Sequence, residues 1–158
     1  MRKIFTLLTL AAIALSACRK ENKICCDVPE HDFILANIKD TTWTAELQTT
    51  YYRDSLNLWA QHGEEHLFFR LKFNGLGKYP LKATEGTFFY TVGMDVITGQ
   101  YITADNAGEI NITLYDKAKN IIEGNFTAQM QLTYPATAIP EPIKMYMQQG
   151  KFRVRLPK

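Results

Sequence analysis

Cysteine, histidine and serine are scarce in this chain of 158 residues, and the scarcity excludes most nucleophilic and redox chemistry. The 3 cysteines are Cys18 and the adjacent pair Cys25-Cys26. No CxxC spacing is present, so neither a dithiol redox motif nor a zinc knuckle is supplied. Adjacent cysteines close only a strained ring, or pair with another chain. Ser16 and Ser55 are the only serines, and no Gly-x-Ser-x-Gly elbow surrounds either. A phosphate-cradling loop is missing too. Asn74-Gly75-Leu76-Gly77 lacks the third glycine and the strand-to-helix setting, and reads as a hairpin turn. After the first residues no hydrophobic run exceeds the length of a strand, and no segment has a 3.6-residue apolar stripe.

What is present begins at the N-terminus. Arg2 and Lys3 precede the apolar run Ile4 to Leu15, and Ser16-Ala17 follow it. This is the three-part layout of a secretory signal, and the run is too short to span a bilayer. Leu15-Ser16-Ala17-Cys18 resembles the lipobox of bacterial lipoproteins. The resemblance implies cleavage between Ala17 and Cys18, a diacylglyceryl group on the Cys18 thiol and a further acyl chain, such as palmitate, on the new amine. At roughly 0.8 kcal/mol per buried CH₂, two or three chains hold a protein to a membrane durably. Losing 17 of 158 residues leaves 141, enough for one domain with its own core. Removing Arg2 and Lys3 from the 18 Lys+Arg leaves 16, equal to the 16 Asp+Glu, so no nucleic-acid partner is implied. The expected organisation is a signal peptide over 1–17, a lipidated cysteine and flexible tether over 18–31, and a single domain over 32–158.

From Phe33 onward the apolar period is two. Leu67, Phe69, Leu71 and Phe73 alternate with His66, Phe68, Arg70 and Lys72, which reads as a strand with one face in a core. Ile110 to Leu114 and Ile122 to Leu132 alternate likewise around the polar turn Asp116 to Asn120, giving a hairpin. Ile143 to Met147 and Phe152 to Leu156 read as a second hairpin turning at Gln148-Gln149-Gly150. Shorter strands are expected near Phe33 to Ile38, Trp43 to Thr49, Leu56 to Ala60, Lys78 to Leu81, Thr87 to Val92 and Gln100 to Thr103, with a turn at Asn106-Ala107-Gly108. Thr133 to Pro142, with three prolines, reads as a long connection. The pattern predicts an all-β chain, an antiparallel β-sandwich of about ten short strands, with a small open β-barrel as the alternative.

Candidate sites are few. His62-Gly63-Glu64-Glu65-His66 matches the H-x-x-E-H pattern of inverted zinc peptidases, where a helix sets both histidines on one side of the metal with a glutamate as base. Gly63 and the flanking β alternation argue for an exposed turn instead, so His62, Glu65 and His66 are metal candidates only if they converge with a further carboxylate. The solvent faces of two strands carry Arg70 and Lys72, and Lys151, Arg153 and Arg155. If those strands are neighbours, they form a basic stripe suited to lipid headgroups or glycans; otherwise the charges guard an edge strand. Tyr51, Tyr52, Trp59, Phe88, Phe89 and Tyr90 could stack on sugars, or serve as core and cross-strand pairs.

Several pieces in order, Leu15 to Cys18, Phe33 with Trp43-Thr44-Ala45, Leu67 to Leu71, Gly77 to Leu81, Gly108 to Thr113, Ile122 to Thr127 and Gly150-Lys151-Phe152, span nearly the whole chain after cleavage. Their order resembles a family of small β-rich lipoproteins of unknown function from Bacteroidota-type bacteria. The resemblance implies an all-β fold and an outer-membrane address in the cell envelope, with Arg19 after the cysteine rather than aspartate. It implies no activity and no cofactor. The expectation is a non-enzymatic, lipid-anchored binding or structural module whose partner is an envelope protein or glycan, against a metal-dependent hydrolase built on His62 to His66.

Overall fold

The computed structural model describes residues 31–135 and 143–157. The signal peptide, Cys18, Cys25 and Cys26, and most of the proline-rich connection lie outside the described residues. Nine strands and no helix are found among the described residues: β1 (Phe33–Ile38), β2 (Thr41–Tyr52), β3 (Ser55–His62), β4 (Glu65–Leu71), β5 (Gly77–Pro80), β6 (Gly86–Val92), β7 (Val96–Asp116), β8 (Ile121–Tyr134) and β9 (Lys144–Arg155).

Every pairing is antiparallel, in the order β5-β7-β6-β4-β3-β2-β1-β9-β8, and β7 also pairs with β8. That last ladder joins the ends of the sheet into a closed eight-stranded barrel, with β5 as one additional strand. The all-β class is as expected, and of its two forms the barrel is realised, not the sandwich. The physical reason lies in β7. Its 21 residues pair with β6 through Val96 to Ile102 and with β5 through Glu109 to Ile112 on one edge, and with β8 on the other. No pair of free edges is left along which the sheet could split in two. β5 remains an edge, shielded by its shortness, by Pro80 and by a Lys78–Glu109 ion pair of 3.0 Å.

Two expected turns prove to be irregularities inside continuous strands. At Asn106-Ala107-Gly108 the β7–β8 register shifts between Thr103 and Gly108, with Asn106 at φ 55°, and the strand runs on. At Gln148-Gln149-Gly150, β9 likewise continues, with Gln149 at φ 51° and a shift between Phe126 and Ala128 of β8. Such bulges bend strands and help a sheet close on itself. Asp116 to Asn120 does turn as expected, its Asp116 carboxylate accepting from the Ala118 and Lys119 amides at 3.0 and 3.1 Å.

Alternate residues point inward and fill the barrel. Ile34, Leu47, Leu56, Leu58, Leu67, Phe69, Phe88, Ile110, Ile122 and Met130 are fully buried, each contributing about 1.5–3 kcal/mol by leaving water. Phe69 meets Phe126 edge-on at 5.2 Å. Close strand approach is bought by two glycines. A Cβ on Gly124 would lie 2.3 Å from the Asn111 carbonyl oxygen, and one on Gly150 would lie 2.6 Å from the Phe126 ring.

Antiparallel order gives the barrel two distinct ends. The chain enters β1 at Phe33 at one end, shared with the β2–β3 turn and the Asp116 to Asn120 turn. The β1–β2, β3–β4 and β6–β7 turns lie at the other.

Candidate functional site at the barrel end

At that second end the packed core stops short of the rim. A cavity of about 260 Å³ is lined by Ile38, Thr41, Trp43, His62, Glu65, Phe88 and Tyr90, with Thr42 and Thr44 at its border. Strand register explains the membership. His62 and Glu65 are directly opposed across the β3–β4 hairpin, and Glu65 is directly opposed to Tyr90 of β6. Opposed residues share a face of the sheet, and this face continues through Ala60, Leu67 and Phe88 into the core.

Three aromatic rings form the apolar wall. Trp43 meets Phe88 edge-to-face at 5.8 Å, and Phe88 meets Tyr90 in the same manner at 5.2 Å. Trp43 is only 7% exposed, and its Nε1 is buried with no acceptor among the described residues. A buried donor left unpaired costs about 1–3 kcal/mol, and this N–H has no surface open to the cavity. Burial pushes the Tyr90 hydroxyl above the ordinary phenol value, with the Glu65 carboxylate and Tyr101 adding to the shift.

His66 lies on the other side of the wall. It is opposed to Gln61 and to Phe89, so it points outward where His62 points inward. Its ring stacks on Phe89 at 4.6 Å and 11°, with Trp59 at 5.5 Å, and it is 5% exposed. The Thr91 hydroxyl donates to the Glu64 carboxylate, so His66 Nε2 is the donor in its 3.1 Å bond to Thr91 Oγ1, and Nδ1 is the buried, unpartnered nitrogen. Glu64 also accepts from the Gly93 and Met94 amides at 3.1 and 3.2 Å. The Thr91 hydrogen bond, with those from the two amides, holds its carboxyl below the usual carboxylate range. Burial holds the His66 imidazole below the ordinary histidine value, against a smaller upward pull from Glu64. Glu64 therefore ties the β3–β4 turn to the β6–β7 turn, and His66 buttresses that tie.

The zinc-peptidase arrangement thus lacks its geometry. His62 and Glu65 face the cavity and His66 faces out, because a four-residue spacing that aligns side chains on a helix crosses an intervening turn here. Among the described residues no group of three or more His, Cys, Asp or Glu side chains is placed to hold a metal ion.

The basic residues do not form one stripe. Arg70 is on β4, with Lys72 just beyond it, and Lys151, Arg153 and Arg155 are on β9. Around the ring, β4 reaches β9 only through β3, β2 and β1, or through β6, β7 and β8. The two groups stand on opposite walls, and neither strand is an edge. Their charges have local uses. Arg70 Nε donates to Asn57 Oδ1 at 3.3 Å and its guanidinium lies 5.5 Å from the Phe68 ring centroid. Lys72 pairs with Asp54 at 3.2 Å, and Arg153 pairs with Glu123. Lys151 and Arg155 are exposed.

Of the aromatics singled out in the sequence, Phe88 and Tyr90 belong to the cavity, Trp59 and Phe89 to the outer cluster around His66, and Tyr51 and Tyr52 are exposed near the β2–β3 turn. Trp43 is not marked as a site residue by the sequence pattern. The available signal is its inward position near the start of β2, at the same rim as the ends of β3 and β6.

A closed, core-filled antiparallel barrel with an aromatic cavity at one end defines a small β-barrel domain. Residues 31–154 match the model of the domain of unknown function DUF6252, and the chain belongs to that family. Comparison with curated proteins and with solved structures finds no match to either.

Proposed function

We propose that this protein is a lipid-anchored, non-enzymatic binding module of the bacterial cell envelope, and that the aromatic cavity at the barrel end is its binding site. The observation that carries the binding part is the cavity itself. Below the rim the interior is filled by buried side chains, as eight-stranded barrels commonly are; at this rim the aromatic wall meets the carboxylate of Glu65 and the imidazole of His62. Small-molecule sites are built in this way, from mostly apolar walls and a few polar groups. The separation of His62 from His66 removes the constellation on which the hydrolase reading depended.

The anchor rests on Leu15-Ser16-Ala17-Cys18 and the signal layout before it. Lipid on Cys18 would hold the domain at a membrane, the outer membrane by the family resemblance. The described chain enters the barrel at Phe33, at the end opposite the cavity. Metabolic labelling with an alkyne palmitate, followed by detergent phase partition, tests the anchor. Full-length protein is expected to carry label and enter the detergent phase, and Cys18→Ala to do neither. An unlabelled wild-type protein in the aqueous phase would refute anchoring.

A further inference from the structure

We infer that the chain-entry end of the barrel docks on an anionic lipid surface and turns the cavity end away from it. The inference rests on the anchor proposed above and adds the face of the domain that meets the membrane. The turns and strand termini of the two ends differ in charge. At the chain-entry end they supply Arg53, Lys72, Lys117, Lys119 and Arg155 against Asp32, Asp54 and Asp116. At the cavity end, among the described residues, Asp40, Glu64, Glu65 and Asp95 stand with Lys39 and Lys144. Lys72 and Arg155 follow opposite walls yet reach the same rim, whose pieces touch. Lys72 Nζ lies 3.2 Å from Asp54 Oδ2, and the Phe73 and Tyr115 rings meet edge-to-face at 5.3 Å. The Leu156 amide donates to the Asn120 carbonyl at 2.6 Å, and the Arg155 amide to Asp32 Oδ1 at 3.1 Å.

The carboxylates of this rim are taken up locally, Asp54 by Lys72 and Asp116 by the Ala118 and Lys119 amides. Arg53, Lys117 and Lys119 are exposed and have no carboxylate partner among the described residues. Anionic headgroups attract such cations within a Debye length. Beside them stand exposed rings: Tyr51 and Tyr52 are 48% and 58% exposed, and the Arg53 guanidinium lies 5.2 Å from the Tyr52 ring centroid. Tyrosine, apolar in body and polar at its tip, favours the boundary between headgroups and acyl chains. Exposed apolar side chains alone do not select the end, since Val92, Met94 and Val96 stand out on the β6–β7 turn. Charge selects it, because Asp95 sits between Met94 and Val96 and Glu64 is bonded to the Met94 amide, and anionic headgroups repel both. Fully extended, the residues from Cys18 to His31 span at most roughly 45 Å. Lipid on Cys18 therefore keeps the basic rim at high local concentration over the bilayer.

The test uses full-length protein labelled with ¹⁵N and reconstituted in nanodiscs of phosphatidylcholine, with or without phosphatidylglycerol, each disc carrying a lipid with a gadolinium-bearing headgroup. In the anionic discs the gadolinium is expected to broaden the amide signals of Arg53, Lys117 and Lys119 and to spare those of Gly93 and Met94. In the neutral discs this preference between ends should largely disappear. Each basic residue at an anionic surface favours docking by about fivefold, so the Arg53→Glu/Lys117→Glu/Lys119→Glu variant is expected to lose the preference in anionic discs. Wild type in about 1 M salt, where the Debye length is about 3 Å, should lose it as well, a check that needs no variant to fold. Equal broadening at both ends, broadening confined to the β6–β7 turn, or an unchanged pattern in neutral discs or high salt overturns the inference and leaves the anchor standing. Protein that elutes apart from the discs overturns both.

Discussion

His62 and His66 stand on opposite faces of the barrel wall, His62 in the lining of the end cavity beside Trp43, His66 outside and stacked on Phe89 at 4.6 Å. Zinc needs both imidazoles on one side, with nitrogens about 2.0–2.1 Å from the ion. Titration of the full-length protein with zinc is therefore expected to show no tight stoichiometric site. The His62→Ala/His66→Ala double variant should give the same trace as wild type. One equivalent of zinc bound tightly by wild type and lost in the variant would restore the hydrolase reading.

The outer histidine makes stability depend on pH. Burial holds the folded His66 below its ordinary value, while in the unfolded chain it titrates near about 6.5. Below that pH the unfolded chain takes up a proton that the folded chain refuses. Stability should thus be full above about pH 6.5 and fall as pH drops through the folded value. His66→Phe removes the titration, so its melting temperature should fall less steeply than that of wild type between about pH 6.5 and 5. Parallel slopes would show that His66 is not the group responsible. Glu64, also held low, adds its own loss only at more acidic pH.

Backbone proximity makes a prediction about barrel closure. Gly124→Ala sets a methyl group 2.3 Å from the Asn111 carbonyl oxygen and 2.8 Å from the Phe152 ring. The oxygen belongs to a laddered strand and cannot withdraw, so the cost should be at the upper end of the roughly 1–3 kcal/mol typical of overpacking. Gly63→Ala meets nothing within 4 Å and faces only its φ of +58°, a strain of about 1 kcal/mol. Urea denaturation of the two variants should rank them in that order, and the reverse order would place β7 and β8 differently from the ladder described here.

The strands were legible in the sequence because one face of each is buried. Phe33 to Ile38 was read with its observed bounds, and the strands around Leu67, Ile110 and Ile122 follow from strict alternation. Closure was not legible. It depends on β7 and β9 running through Asn106-Ala107-Gly108 and Gln148-Gln149-Gly150, and a bulge uses the same residues as a turn, a glycine beside an amide residue at positive φ, here Asn106 and Gln149. The distinction rests on the partner strand: Gly150 lies against Phe126 and Gly108 against the Thr127 carbonyl. The cavity was hidden for a related reason. Trp43, Glu65, Phe88 and Tyr90 sit on three strands and meet only through cross-strand register. In the sequence Glu65 stands in a helical motif, whereas its neighbours in the fold are His62 across one ladder and Tyr90 across the next.

Ligand binding at the barrel end is read out by the indole N–H signals of the 2 tryptophans. Trp43 lines the cavity, and Trp59 lies in the outer aromatic cluster. Full-length protein labelled with ¹⁵N at tryptophan would be titrated with cationic, neutral and anionic small molecules. Molecules that bind are expected to move the Trp43 signal and leave the Trp59 signal in place. A set in which Trp43 never moves, or in which only Trp59 does, would contradict binding at that end.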